Sequence, residues 1–374
     1  MSAWPTVPFE DVLKDRTSSV ARIPQREYLS EGDLAIVDQG RDLIGGYTSA
    51  THNAYRGPFP VLLFGDHTRV LKYIDFPFAA GGQGARILEV SSQYNPRFIY
   101  HYLKYRQIPA QGYSRHFKLL KELSFPKPPL EEQRRIAALL DQADELRAKR
   151  RQSIVLLEDL AQSLFLDMFG DDKVFVSSCR LGEIADIASG ITKGRKVPKG
   201  TSLKPVPYLA VANVQDKRLD LSNVKTIDAS SNEIERYRLQ KNDLLLTEGG
   251  DPDKLGRGTL WNEELPEAIH QNHIFRVRLT DCERVRPVYV NWYIASHFGK
   301  RYFLRSAKQT TGIASINATQ LKNFPLRLPS IQLQYSFESK VARVRDALDL
   351  QTTNLLALDD LFLSLQAKAF RGEL

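Results

Sequence analysis

The side chains that can do chemistry in this chain are arranged for binding rather than catalysis. No glycine-rich loop ends in Gly-Lys-Ser/Thr, so no P-loop is present. The GGQGAR stretch from Gly81 shares only its glycine content with a dinucleotide loop. His270 and His273 in HQNH stand three apart, yet no further His, Cys or Asp completes a metal-ligand pattern. The Pro-Asp pair of EGGDPDKLGRG is followed by no Glu-x-Lys at nuclease spacing. No Asn/Asp-Pro-Pro-Tyr/Phe stretch of the kind that holds a flipped adenine occurs. No catalytic residue and no metal ligand is assigned.

The candidate binding residues lie in polar, glycine-punctuated loops. ASGITKGRKVPKG carries Lys193, Arg195, Lys196 and Lys199, and EGGDPDKLGRG adds Lys254 and Arg257. Such loops bring ammonium, guanidinium and backbone N–H groups to phosphates. Gln271 and Asn272 of HQNH carry amides that can pair bidentately with adenine in the major groove. KQTTGIASIN supplies Lys308, Gln309, Thr310 and Thr311. Nearer the N-terminus the corresponding candidates are Asp66, His67 and Arg69 of FGDHTR, Gln83 and Arg86 of GGQGAR, and Ser114 and Arg115 of QGYSR. As a set they suit a reader of base edges. RAKRR (Arg147 to Arg151) lies within a helical stretch, where a solvated face and a phosphate contact are both open readings.

Charge agrees with this. The net charge of +8 and pI of about 9.3 favour an acidic partner, of which nucleic acid is the commonest. A hydrophobic fraction of 42% is enough for real cores, so the chain is not disordered. Cys179 and Cys282 match no metal or disulfide spacing and are expected to be half-buried thiols. The opening MSAWPTVPFEDV lacks a basic segment followed by an apolar run, and no stretch approaches a membrane span. The expectation is a soluble cytoplasmic protein.

The elements that must position these loops are dominated by two long helices. Residues 130–170 contain no Pro and no internal Gly, follow Pro126, Pro128 and Pro129, and end at Gly170, a usual C-terminal stop. Apolar residues recur on a seven-residue step at Ile136, Leu139, Ala143, Leu146, Leu157, Leu160 and Leu164, a seam for one partner helix. A shift of 201 residues, without a gap, lands on a second such stretch. Leu120, Pro128, Gln133, Asp159, Ser163 and Phe169 map to Leu321, Pro329, Gln334, Asp360, Ser364 and Phe370. The repeated seam is Phe337, Val344, Ala347, Leu358, Leu361 and Leu365. Both seams are interrupted at matching points, by Arg150 and Ser153 and by Gln351 and Asn354. An internal duplication follows. Antiparallel pairing would set Arg150 near Asn354 and Ser153 near Gln351.

The segments before each helix also echo one another. VPFEDVL matches LGEIADIASG, YLSEGDLAIVDQG matches RLQKNDLLLTEGG, and NPRFIYHYLKY matches RPVYVNWYIAS. In NPRFIYHYLKY, Asn95 as cap and Pro96 at the first position predict a helix. The fold class is α+β: two mixed α/β domains, 1–129 and 171–330, separated by long helices at 130–170 and 331–374 that form an intramolecular antiparallel coiled coil.

These residues resemble the DNA-specificity subunits of type I restriction-modification systems. FPKPPLEEQRRIAALLDQADELRAKRR…LLEDLAQSLFLDMFGD is similar to the family's central conserved region. LPSIQLQYSFESKV…LFLSLQAKAFRGEL is similar to its distal one, although Leu333-Gln334 stands in place of Glu132-Gln133. LGEIADIASGITKG, EGGDPDKLGRG with HQNHIFRVR, and FGDHTR with FPFAAGGQG resemble target-recognition segments. The resemblance implies a non-catalytic subunit whose two recognition domains each read one half of a split double-stranded DNA site, with the helices setting the spacer. It further implies docking of two methyltransferase subunits that bring S-adenosylmethionine, and of motor-nuclease subunits that use ATP and Mg, with no cofactor on this chain. Leu140, Phe165, Val341 and Phe362, beside the seam, are the candidates for the docking surface. The rival readings are a single-chain nuclease or DNA methyltransferase with built-in recognition, and an interaction scaffold that never meets DNA.

Overall fold

The computed structural model describes residues 4–110, 112, 114–250, 255–310 and 313–374. The chain divides into two compact units, one formed by Met1–Ile154 with Leu350–Leu374 and the other by Val155–Asp349. The two long helices run Leu130–Phe169 and Ile331–Arg371. Each unit therefore owns a globular part and one half of each long helix, a division that differs from the four consecutive segments drawn from sequence. The central helix ends at Phe169, and Gly170 closes it with its N–H on the Leu166 carbonyl at 2.8 Å, where a Cβ would stand 2.4 Å from that oxygen.

In the first unit, one four-stranded sheet orders Leu13–Asp15, Ala85–Val90, Val61–Gly65 and Leu71–Ile74, all antiparallel. A second orders Arg22–Ile23, Phe78–Gly81, Leu34–Val37 and Gly46–Thr48, with the first three strands parallel. The helix Pro96–Arg106 begins as expected, with the Asn95 side chain accepting a hydrogen bond from Phe98 N at 3.1 Å. It packs with the first half of the central helix and the last turns of the distal helix in one core containing Phe98, Ile136, Leu140, Phe362 and Phe370.

The second unit repeats this plan. Ala185–Ser189, Ile274–Leu279, Leu244–Thr247 and Gly258–Leu260 form an antiparallel four-stranded sheet. Lys204–Leu209 lies between Lys225–Ala229 and, in parallel, Ile269–His270. The helix Pro287–Ala295 packs with Phe165, Phe169 and Phe337 in the core of that unit. One sequence echo is out of place. Leu34–Val37 belongs to the parallel sheet, whereas Leu244–Thr247 occupies the sheet position that Val61–Gly65 holds in the first unit. Both segments are short apolar runs after Gly/Asn-Asp turns, so local pattern cannot separate them.

The repeat is clearest where globule meets helix. Gln133 is buried; its Oε1 accepts from Asn95 N at 2.8 Å and its Nε2 donates to Pro128 O at 3.0 Å. Gln334, its counterpart, is also buried; its Oε1 accepts from Arg286 N at 2.8 Å and its Nε2 donates to Pro329 O at 3.0 Å. One side chain in each unit thus ties the start of a long helix to the start of the helix packed on it.

The helices pair antiparallel within each unit, and most of the expected seam is packed: Ile136, Ala143 and Leu365 in the first unit and Leu157, Leu164, Phe337 and Val344 in the second. In the first unit Arg147 Nε bonds Asp359 Oδ1 at 2.6 Å, Arg151 reaches the same oxygen at 3.0 Å, and Arg150 bonds Gln351. Arg150 therefore meets its own repeat equivalent rather than Asn354. Ser153 Oγ instead donates to Lys149 O of its own helix at 3.0 Å. Most of the RAKRR cations are thus engaged in helix pairing, and Lys149 pairs with Glu145 at 2.7 Å. Leu146, Leu160 and Leu361 of the expected seam remain exposed. The docking candidates are corrected too: Leu140 and Phe165 have no exposed surface, and Val341 and Phe362 keep only 5% and 4%. A heptad seam assumes a single partner helix, whereas these helix ends also pack on a globule, which widens the buried face.

Candidate nucleic-acid interface

In the first unit Gln39 gathers three loops at one end of the sheets. Its Oε1 accepts from His67 N at 3.2 Å, its Nε2 donates to Gln83 O at 3.0 Å, and its carbonyl accepts from Thr68 Oγ1 at 2.6 Å. The adjoining loop exposes Arg41, Asp42 and Leu43. Beneath it the buried Lys72 donates from Nζ to Asp42 O and stands 3.7 Å from Asp38. Burial lowers the Lys72 pKa, and Asp38 opposes that shift. Gln39 and Arg41 were missed in the sequence. Their signal was present, since QGRDLIGG is a polar, glycine-flanked loop directly after the strand Leu34–Val37.

Two sequence candidates here are structural. Asp66 is buried; its carboxylate accepts from Phe117 N at 2.8 Å and Arg86 Nη2 at 3.2 Å, and its carbonyl accepts from His116 N at 2.9 Å. It caps the short helix Phe117–Lys121 and has no edge left for a base. Arg86 also lies 3.7 Å from Asp15 and 4.8 Å from the Phe117 ring centroid, so its charge is neutralised internally. FGDHTR is polar in sequence, but only its second half reaches solvent. Ser114 Oγ is buried with no hydrogen-bond partner among the described residues. His67 is half-buried, Arg69 donates from Nη1 to Ile108 O at 3.0 Å while remaining exposed, and Gln83 and Arg115 are exposed.

In the second unit the loops converge through the backbone. Ile191 N donates to His270 O at 2.8 Å, and Asn272 N returns a bond to Ile191 O at 3.0 Å. This sets the lysine loop beside HQNH. Glu248 O accepts from Ile316 N at 2.9 Å, and Gly249–Gly250 pairs with Ile313–Ser315, which pairs with Lys308–Thr310. That strand carries Lys308, Gln309 and Thr310; Lys254 and Thr311 lie outside the described residues.

Lys193, Lys196 and Lys199 are exposed, with no ion pair among the described residues. Arg195 is the exception in its loop. It donates from Nη2 to Glu233 Oε2 at 2.7 Å and to Asp228 O at 2.9 Å, fastening the loop to a capped helix start. The Arg195 guanidinium, with the Ser230 backbone and hydroxyl bonds behind it, holds the Glu233 carboxyl down at about 2. Arg195 is thus a fastener rather than a free cation. Arg257 donates from Nη1 to Gln215 Oε1 at 3.2 Å. His270 is fully buried, and desolvation pushes its imidazole down to about 4. His273 is exposed and faces Glu248 at 2.6 Å. Cys179 is half-buried, whereas Cys282 is exposed. No helix among the described residues is long and apolar enough to cross a membrane.

One scaffold is used twice, each copy fixed to a repeat of one long helix and each carrying its own polar loops. A family model described as the type I restriction modification DNA specificity domain matches residues 21–156. The chain is 27% identical over 307 residues to the type I restriction enzyme EcoKI specificity subunit of Escherichia coli K12, covering 74% of this chain and 65% of that one. It is 27% identical over 310 residues to the StySPI specificity subunit of Salmonella potsdam, covering 75% and 66%. These alignments span just under two thirds of the relatives' length. A crystal structure of a type I restriction-modification S subunit from M. genitalium shares the fold, with a TM-score of 0.64 at 16% identity over 99% of this chain and 96% of that one. The chain is similar in sequence to type I restriction-modification specificity subunits over about three quarters of its length.

Proposed function

We propose that this chain is the DNA-reading, non-catalytic subunit of a type I restriction-modification complex. Each unit reads one half of a split site on duplex DNA, and the paired helices set the gap between the halves. Two methyltransferase subunits carrying S-adenosylmethionine dock on the helices, and restriction subunits using ATP and Mg complete the assembly in the cytoplasm. With Leu140, Phe165, Val341 and Phe362 buried, exposed leucines of the two helices, among them Leu156, Leu160 and Leu166 of the central helix and Leu350, Leu356 and Leu363 of the distal helix, offer apolar surface to the methyltransferases.

The observation that carries this reading is the duplicated lock of Gln133 and Gln334. It mounts two globules with different loops on repeats of one helix. That suits an asymmetric two-part target, because the support is common to both units and the contacting side chains are not. The test is to express the chain with a type I methyltransferase subunit and map N6-methyladenine on the host genome. The expected result is one split motif with a fixed gap. Methylation at unsplit sites, or a mark laid down by the chain alone, would refute the proposal.

A further inference from the structure

We infer that the Gln271-Asn272-His273 turn is the base-reading edge of the second unit, and that Glu248 sets, through His273, which hydrogen-bonding groups Asn272 turns outward. This rests on the DNA-reading function proposed above and specifies part of the target.

The turn is rigid before any ligand arrives. Gln271 N donates to Leu209 O at 2.9 Å, Asn272 N to Ile191 O at 3.0 Å, Ile274 N to Gln271 O at 2.9 Å, and Glu248 N to His273 O at 2.9 Å. The approach of the lysine loop requires glycine at position 190, where a Cβ would stand 1.9 Å from His270 O. A turn held in this way loses little entropy on binding.

Side-chain polarity then follows from a relay. Glu248 Oε2 lies 2.6 Å from His273 Nδ1. A carboxylate can only accept, so Nδ1 carries the proton, and in the neutral tautomer with that proton Nε2 keeps a lone pair. That lone pair accepts from Asn272 Nδ2 at 3.4 Å. Asn272 is left with Oδ1 as acceptor and one N–H as donor. This pair complements the N6 amino group and N7 of adenine. Gln271 is held differently: its Oε1 accepts from Val211 N at 3.4 Å, which leaves the two Nε2 hydrogens as donors. Two donors complement a base edge that accepts twice, O6 and N7 of guanine. His273 is 56% exposed at the side chain, and the exposed Lys193 begins two residues after Ile191, beside the turn, where flanking phosphates would lie. The relay residues act by positioning Asn272; Asn272 and Gln271 make the contacts.

The chain expressed with a type I methyltransferase subunit tests this by adenine-methylation mapping. Asn272→Asp presents acceptors only and is expected to move one position of the second half-motif from adenine to cytosine, whose amino group donates. His273→Ala should lower the adenine preference at that same position by roughly tenfold to a hundredfold. His273→Gln, which keeps an acceptor in reach of Asn272 Nδ2, should restore it. The first half-motif and the gap should stay unchanged throughout, as should the unfolding midpoint. A split wild-type motif that neither Asn272→Asp nor His273→Ala alters would overturn the relay alone. A lowered midpoint with loss of all marks would show the relay to be merely structural and overturn it as well. Absence of any split motif in the wild type would instead sink the DNA-reading function.

Discussion

Replacing Gln133 by Ala tests the joint on which the architecture depends. The side chain makes three hydrogen bonds, from Asn95 N at 2.8 Å and to Pro128 O at 3.0 Å and Gln93 O at 3.4 Å, while only 1% exposed. Truncation leaves the Asn95 N–H without an acceptor at a half-buried site, costing about 1–3 kcal/mol. The two carbonyls lose one donor each and the side-chain volume is left empty, so the whole change should cost about 2–4 kcal/mol. Gln334→Ala removes the equivalent bonds to Arg286 N, Arg284 O and Pro329 O and should cost a similar amount in the other unit. The two sites share no partner, so their effects should add. Urea unfolding followed by peptide-resolved hydrogen exchange is the assay. Gln133→Ala should raise exchange in Pro96–Arg106 and the start of the central helix, and Gln334→Ala in Pro287–Ala295 and the start of the distal helix. Losses below about 0.5 kcal/mol for both variants, or exchange that rises equally in both units for either one, would refute the reasoning, because surface changes are of that size.

Three further outcomes follow from the same geometry. Replacing Lys193, Lys196 and Lys199 together by Ala should weaken DNA binding without altering the motif, and should flatten the salt dependence by up to about 0.9 in slope for each phosphate no longer neutralised; an unchanged slope in a titration would place these lysines off the DNA. Glu233 is held at about 2 against an ordinary value of 4.5, with Arg195 as first cause. A depressed carboxyl contributes fully above about 4.5 and loses its contribution as pH falls toward 2. Protection of the loop at residues 193–200 should therefore drop across that window in the wild type and stay flat in Glu233→Gln, as followed by hydrogen exchange. Finally, inserting about seven residues after Arg150 and again after Gln351 adds roughly 10 Å of helix. At about 3.4 Å per base step, the gap of the methylated motif should lengthen by about three base pairs with both half-sequences intact, and an unchanged gap would show that the helices do not set it.

Residue order alone determined the elements whose cause is local. The start of each long helix follows from prolines and Gln133 or Gln334, the end of the central one from Gly170, and the Pro96–Arg106 helix from the Asn95 cap. The duplication was legible because a shift of 201 residues keeps register without a gap. Tertiary structure decided which polar groups remain free. Asp66, Arg86 and Arg195 look like DNA-facing residues in their loops, yet each is taken up by a partner 20 or more positions away. Conversely, Gln39 and Glu248 gained importance only when loop closure brought His67, Gln83 and His273 to them. The same holds for the helices. The heptad step shows that a helix has an apolar face, but the globular part packed on it within the unit set how wide that face is and turned Leu140 and Phe362 into core. Periodicity depends on backbone geometry repeated every few residues, so it is present in the sequence itself. A hydrogen-bond partner or a burying surface belongs to whichever distant segment the fold delivers, and only the folded chain can assign it.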